Sequence, residues 1–408
     1  MAGIETKSER LLGHFAAAMF AHLESEHDTV FYAATADDPQ QWLQKIANQA
    51  DTLVLVVKDT TNTLPEWLTE FLSSWEKKPG LVILHPKHRH MSSQILALWK
   101  LFDPAWHYRL QMNETKRWKS IARMASGQPV NLILSGGGSL GAMHCGILKV
   151  LVDNDFPIDT IGGTSAGAGI AMSYALGDTP ETTAEKFRYA FLEKKPFKAY
   201  TLPFYGLLNP KRLDRVLQEI SAGLLLEESV IPVHTTVTNL TRSRAEVVTT
   251  GLAWEALRMT SSLPGILPPY IRDGCAYIDG GVLNNFPVSV ARQFYGGRHV
   301  GVIFNRPNDR LLKSRYEDLP NALQSILAKL LFNKVGDYPK LGEVLAHSLA
   351  LSSTSGLQDA MNHVDLLLNP PVPQNVGITS FECFDQLYEA GVEYAQNYLS
   401  KLQSPLIK

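Results

Sequence analysis

Along the first third of the chain, short runs of β-branched and apolar residues alternate with longer stretches whose apolar positions recur every three or four residues. The short runs at 29–32, 52–57, 81–85 and 106–110 read as strands, and the stretches at 40–47, 64–75, 93–101 and 114–125 read as helices. Repeated βα units predict a small parallel sheet covered by helices, a Rossmann-like domain over residues 1–128. Ser126-Gly127-Gln128-Pro129 then punctuates the chain, and its character changes. An all-apolar strand run at 130–134 enters a glycine-rich turn and a helix over about 142–152. A second short run, Thr160-Ile161-Gly162-Gly163-Thr164, breaks at Ser165 and continues as a helix of small and apolar residues to Leu176. Later, a strand start is expected at 298, helices over about 319–331 and 338–351, a strand at 364–368 and a closing helix over about 384–402. These patterns divide the chain into the N-terminal βα domain, a second α/β domain over 129–310 and a mainly helical extension over 311–408.

Composition changes this picture little. A chain of 408 residues, 45% hydrophobic and 19% charged, builds ordinary globular domains. A net charge of −2 gives no global basic field, which excludes nucleic acid as the main partner and leaves membrane attraction to local patches. Cys145, Cys275 and Cys383 lack disulfide or metal spacing and fit a reducing compartment. The segment 11–20 is broken by His14 and followed by more charge, so it reads as an amphipathic helix and not a signal sequence. No run approaches the roughly 18 apolar residues that a span needs. A cytoplasmic protein that touches membranes from outside is the expectation.

The chemistry concentrates in three turns. Gly163-Thr164-Ser165-Ala166-Gly167 has the G-x-S-x-G form of a nucleophile elbow, in which a serine sits on a sharp strand-to-helix turn and small neighbours let a carbonyl reach it. The glycine-rich turn Ser135-Gly136-Gly137-Gly138-Ser139-Leu140-Gly141 admits two readings. Gly136-x-Gly138-x-x-Gly141 is a dinucleotide fingerprint, for which Asp159 lies near the position of a ribose-binding acid. The same geometry presents backbone N–H groups to an oxyanion, and the neighbouring elbow favours that second use. In Asp279-Gly280-Gly281, a carboxylate at a strand end is followed by two glycines that can bend it into a cleft or simply make a tight turn, and Asn285 can hydrogen-bond the loop that holds it. A Ser/His/Asp triad would draw its histidine from His299, His347 or His363. The cluster His85-Pro86-Lys87-His88-Arg89-His90 reads as a solvated loop, because cations and no carboxylates are interleaved; no metal or other cofactor is expected. Residues 194–208 combine Lys194, Lys195 and Lys198 with several aromatics and two prolines, a composition suited either to an anionic interface or to a long packed loop.

Taken in this order, the three turns resemble those of the patatin-like phospholipase family, and more closely the catalytic region of neuropathy target esterase and its bacterial relatives. The segment Met259-Thr260-Ser261-Ser262-Leu263-Pro264-Gly265-Ile266-Leu267-Pro268-Pro269 and the late run Phe384-Asp385-Gln386-Leu387-Tyr388-Glu389-Ala390-Gly391 extend the likeness from about residue 53 onward. The resemblance implies a three-layer α/β/α hydrolase domain and a serine lipid-ester hydrolase of the lysophospholipase or phospholipase A type. It implies Ser165 as nucleophile and Asp279 as general base and acid, an oxyanion hole from Gly137, Gly138 and Ser139, and motif support from Gly136, Gly141, Gly163, Gly167, Gly280, Gly281 and Asn285. A phospholipid or lysophospholipid is the implied partner, with peripheral membrane contact; oligomeric state is left open. One departure matters: the family's loop carries Arg or Lys where this chain has Leu140. The alternative it raises is a catalytically weak or inactive lipid-binding regulatory protein.

Overall fold

The computed structural model describes residues 14–304 (save 36, 62–65, 76 and 86–89), 344, 357–373 and 376–402. The expected helix at 319–331, that at 338–351 save residue 344, and most of the histidine cluster lie outside the described residues. The chain divides into two compact units, Met1–Gln128 and Pro129–Lys408.

In the first unit, β1 (Val54–Lys58), β2 (Gly80–Leu84) and β3 (Trp106–Leu110) form a parallel sheet in that order, with Val56 opposite Val82 and Val82 opposite Tyr108. Helices α1 (His14–Glu26), α2 (Gln40–Gln49), α3 (Glu66–Ser74), α4 (Ser93–Phe102) and α5 (Thr115–Ala125) alternate with them. Helix α4 begins where the Ser92 hydroxyl accepts a hydrogen bond from the Ile95 amide, and it buries Ile95, Trp99 and Phe102 against Val57, Leu81 and Ile83. Parallel strands need such covering helices, which is why β2 is apolar throughout. The strand expected at 29–32 does not form. Tyr32 instead packs edge-on against Phe20, ring centroids 4.9 Å apart, in a small cluster with Trp42, and no strand among the described residues pairs with it.

The second unit is built on an eight-stranded sheet, with β11 (Leu366–Leu368), β10 (Arg298–Val302), β4 (Val130–Leu134), β5 (Thr160–Thr164), β6 (Val233–Asn239), β9 (Cys275–Asp279) and β8 (Tyr270–Arg272) in spatial order. The first five run parallel, β9 is antiparallel to β6, and β7 (Arg244–Val248) also pairs with β6. Every residue of β4, β5 and β6 is buried, so both faces of the sheet are covered and the domain has three layers, helix on sheet on helix. Helices α6 (Gly141–Asp153), α7 (Ala166–Ala175), α8 (Pro180–Arg188), α9 (Pro210–Ser221), α10 (Ala253–Thr260), α11 (Val288–Tyr295), α12 (Leu357–Asn362) and α13 (Phe384–Lys401) supply the cover. On one face, Ile133 packs with Phe286, Val288 and Ala291 at the start of α11.

Register brings the three turns to one level. Leu134, the last residue of β4, lies opposite Gly163; Thr164, the last residue of β5, lies opposite Thr236; and Asp279, the last residue of β9, lies opposite Val237, the next position on β6. β9, running the other way, thus ends at the level where the parallel strands β4 and β5 end.

Candidate active site

Ser165 is the hinge of the site. It stands between β5 and α7 with φ +52° and ψ −121°, a backbone region that a residue with a side chain rarely adopts and that costs on the order of 1–3 kcal/mol. The strain is held from outside: the Ser165 amide donates to the Thr260 hydroxyl at 2.9 Å, and that hydroxyl donates to the Thr236 carbonyl at 2.7 Å. Space is made by glycines. A Cβ on Gly167 would fall 2.4 Å from the Leu134 carbonyl oxygen and 2.5 Å from that of Ser135, and one on Gly136 would fall 2.3 Å from Asn285 Oδ1, with Ser165 Cβ next to it at 3.3 Å. Only hydrogen fits there, so β4, the elbow and the Asn285 loop can close on one another. Gly163 lies against the Leu134 carbonyl, Gly141 against the Phe187 ring, Gly280 against the Thr236 carbonyl, and Gly281 beside Asp279 and Asn285.

The Ser165 hydroxyl donates to Asp279 Oδ2 at 2.8 Å. The other carboxylate oxygen accepts from the Gly281 amide at 2.8 Å, a short-range turn that aims the side chain back over the sheet. Asp279 is 2% exposed. Burial pushes its pKa up to about 6, against the opposing pull of the hydrogen bonds from Gly281 and Ser165. A carboxylate with that value is a competent proton acceptor near neutral pH.

The glycine turn leaves β4 beside this pair. The Gly136 amide donates to the Asn285 carbonyl at 3.1 Å, and Asn285 Nδ2 reaches the Gly136 carbonyl at 3.4 Å, so two distant loops are laced together. The amides of Gly137 and Gly138 have no partner among the described residues. Ser139 differs from the expectation that it completes an oxyanion hole. Its amide donates to the Ile378 carbonyl at 2.8 Å, because a turn from far along the chain packs against it. Leu140 is 2% exposed and packs on Gly137, whose Cα also faces Phe304. The buried cation Arg258 does not substitute there; it is bonded to Asp214 (2.6 Å), to the Ser262 hydroxyl and to the Pro268 carbonyl (3.1 Å).

The competing assignments are displaced by topology. Asp159 accepts from the Val130 amide at 2.8 Å at the opposite, N-terminal edge of the parallel strands, so it faces away from the glycine turn. His299 lies opposite Asn131, which lies opposite Thr160, five residues before Ser165; at about 3.3 Å per residue that is an offset of roughly 16 Å along the strands, and His299 lies two strands to the side as well. His363 bonds its Nδ1 to the Asp359 carbonyl at 2.7 Å in the connection to β11, on that same far edge, and His347 lies outside the described residues. His144, buried on α6, donates from Nε2 to the Ser135 carbonyl at 2.8 Å. Its burial lowers its pKa to about 4, and it has no bond to Asp279. No group of three His, Cys, Asp or Glu side chains that could hold a metal occurs among the described residues.

Thr260 is the residue that sequence reasoning passed over. Replacing it with Val keeps the shape but leaves the Ser165 amide without its acceptor. The expected loss is about 1–3 kcal/mol of stability, read as a lowered Tm, with activity falling in step as the elbow loosens. Unchanged melting and kinetics would show that the hydroxyl does not hold the turn.

Residues 132–292 match the family model described as patatin-like phospholipase. Over nearly the whole chain, similarity extends to two fungal proteins. Lysophospholipase nte1 of Emericella nidulans is 26% identical over 445 residues, covering 94% of this chain and 29% of that protein. Lysophospholipase NTE1 of Yarrowia lipolytica is 29% identical over 443 residues, covering 93% and 31%. The chain therefore spans less than a third of the length of either relative. Among solved structures, VipD from Legionella pneumophila aligns over 66% of each chain, at 15% identity and a TM-score of 0.36.

Proposed function

Residues 132–292 are a patatin-like phospholipase domain, and from that premise we propose that this chain is a serine hydrolase that releases fatty acids from phospholipids or lysophospholipids through Ser165 and Asp279. The observation that carries the proposal is the 2.8 Å hydrogen bond from the Ser165 hydroxyl to a buried carboxylate, on a strained elbow beside two glycine amides that have no partner among the described residues. Asp279 takes the serine proton as Oγ attacks the ester carbonyl, and the oxyanion that forms is held by the Gly137 and Gly138 amides and the N-terminus of α7. The protonated carboxyl then returns the proton to the leaving alcohol, and water, activated the same way, hydrolyses the acyl-enzyme. No histidine takes part.

A second reading, a lipid-binding protein that keeps the fold without turnover, draws its support from the buried Leu140. Incubation with monoacyl and diacyl phospholipids, read by fatty-acid release, separates the two. Release that disappears with Ser165→Ala supports the hydrolase; tight lipid binding without release supports the alternative.

The lipid is reached, in this reading, by docking on an anionic bilayer. Residues 199–209 form an excursion closed at its base by hydrogen bonds from Asn209 to Ala199 and from Thr201 to Leu207. Its outer part carries Tyr200, Leu202, Phe204 and Tyr205, all at least 73% exposed, and Lys195 and Lys198 lie exposed just before it. Leu207 and Leu208 bond to Gly265 and Ile266, in the loop that begins at Ser262, whose carbonyl accepts from the Asp279 amide. The excursion is thereby tied to the site. Phe197, equally apolar in sequence, instead joins Phe191 and Phe381 in a cluster of three mutually stacked rings and stays within the fold. Phe204→Ser with Tyr205→Ser should weaken binding to anionic vesicles by at least about tenfold while hydrolysis of a soluble short-chain ester is unchanged. Unchanged vesicle binding would remove the docking role. Among the described residues no helix is long and apolar enough to cross a membrane.

A further inference from the structure

We propose that Ser139 and the turn at residues 377–380 form a brace that holds the glycine loop in its anion-binding shape, which makes Ser139 a positioning residue for ester cleavage; this deepens the hydrolase reading and rests on it. Both polar groups of Ser139 are committed to that turn. The amide donates to the Ile378 carbonyl at 2.8 Å, and the hydroxyl donates to the Gly377 carbonyl at 2.7 Å. The side chain is 1% exposed, so water does not replace either partner. The contact is close enough to constrain the loop's backbone as well. Gly138 has φ +59°, and a Cβ there would fall 2.1 Å from the Ile378 oxygen.

The turn that supplies these carbonyls is itself fixed. The Gly377 amide donates to the Ser380 hydroxyl at 2.9 Å, and the Ser380 amide donates to the Gly377 carbonyl at 3.1 Å. Four residues later α13 begins, and it lies directly along α6, the helix that starts at the end of the glycine loop. Gly146 of α6 admits the Tyr388 carbonyl and Gly391 of α13 admits the Met143 carbonyl, positions where a Cβ would fall 2.2 and 2.4 Å from the oxygen. The loop is therefore gripped at two points by one C-terminal segment: through α6 at its end and through Ser139 in its middle.

This arrangement accounts for the neutral side chain at position 140. A cation there would order the loop by charge; here two carbonyls order it by hydrogen bonds, and Leu140 is free to pack inward. The consequence for chemistry is preorganisation. With the amide of Ser139 turned to Ile378, the amides of Gly137 and Gly138 are left without a partner among the described residues and fixed in direction, so no reorientation is needed as the oxyanion develops. Loosening the brace should slow the chemical step and leave substrate affinity alone.

The test uses the full chain, a soluble short-chain p-nitrophenyl ester and hydrogen exchange of the peptide covering 135–142. Ser139→Ala is expected to lower kcat about tenfold with KM within twofold of the wild type, and to speed exchange in that peptide while β5 and β9 stay protected. Ser380→Ala, which loosens the turn without touching the loop, is expected to lower kcat about threefold. A Ser139→Ala protein that folds and keeps kcat within twofold overturns the proposal. If Ser139→Ala does not fold, Ser380→Ala decides, and an unchanged kcat there overturns it. A wild-type chain that cleaves no ester would instead sink the hydrolase reading, and the exchange measurement would still show whether Ser139 holds the loop.

Discussion

Ser165→Ala should reduce fatty-acid release by at least about 10³-fold while the protein melts within a few degrees of the wild type. The asymmetry follows from what the hydroxyl does. It is a partly buried group with one hydrogen bond, to Asp279, and alanine occupies the same backbone position with the same positive φ, so the elbow's hold through Thr260 is untouched. Removing the oxygen therefore costs little structure and all of the covalent route. What remains is the stabilisation that the glycine amides give to attack by water. Loss of activity together with loss of fold would point to a structural serine.

Asp279→Asn should lower kcat by about 10²–10⁴-fold, because the amide can accept a hydrogen bond from Ser165 but cannot take its proton. The pH profile separates this from a loss of shape. Burial raises the Asp279 pKa to about 6, and the reaction needs the ionised form. Below about pH 6 the carboxyl is protonated and cannot accept, so kcat/KM should fall tenfold for each further pH unit; above it the rate should level off. In Asp279→Asn the residual activity should lose that acid limb. The double variant with Ser165→Ala should be no slower than Ser165→Ala alone, since a base without its nucleophile has nothing to activate. An acid limb that persists in Asp279→Asn would assign the titration to another group.

The elements that place this site were legible because each is a short, local pattern. The all-apolar run at 130–134, the small residues around Ser165 and the strand before Asp279 all fold as their sequences indicate, and register then aligns their ends. What was not legible depends on distance along the chain. Thr260 is one hydroxyl near the end of an ordinary amphipathic helix, and nothing local marks it as the acceptor for the elbow's amide 95 residues before it. Ser139 looks in sequence like a third amide of the anion loop, and only the approach of residues 377–378, 238 positions later, redirects it. The strand expected at 29–32 shows the opposite failure. Its four residues have strand propensity, but no strand among the described residues pairs with them and an aromatic cluster takes Tyr32. His299 reads correctly as the start of a strand, and that correct reading is what removes it from the site, since it places the ring at the wrong end of the sheet.

The central claim is that one serine oxygen, activated by one buried carboxylate, attacks an acyl carbon. The most direct measurement of it is covalent capture with a fluorophosphonate, located by peptide mass spectrometry and timed in the wild type, Ser165→Ala and Asp279→Asn. Rapid adduct formation on Ser165, none in Ser165→Ala and formation slowed at least about a hundredfold in Asp279→Asn is the predicted result. An adduct on a different residue, or labelling of Ser165 at an undiminished rate without Asp279, would contradict it.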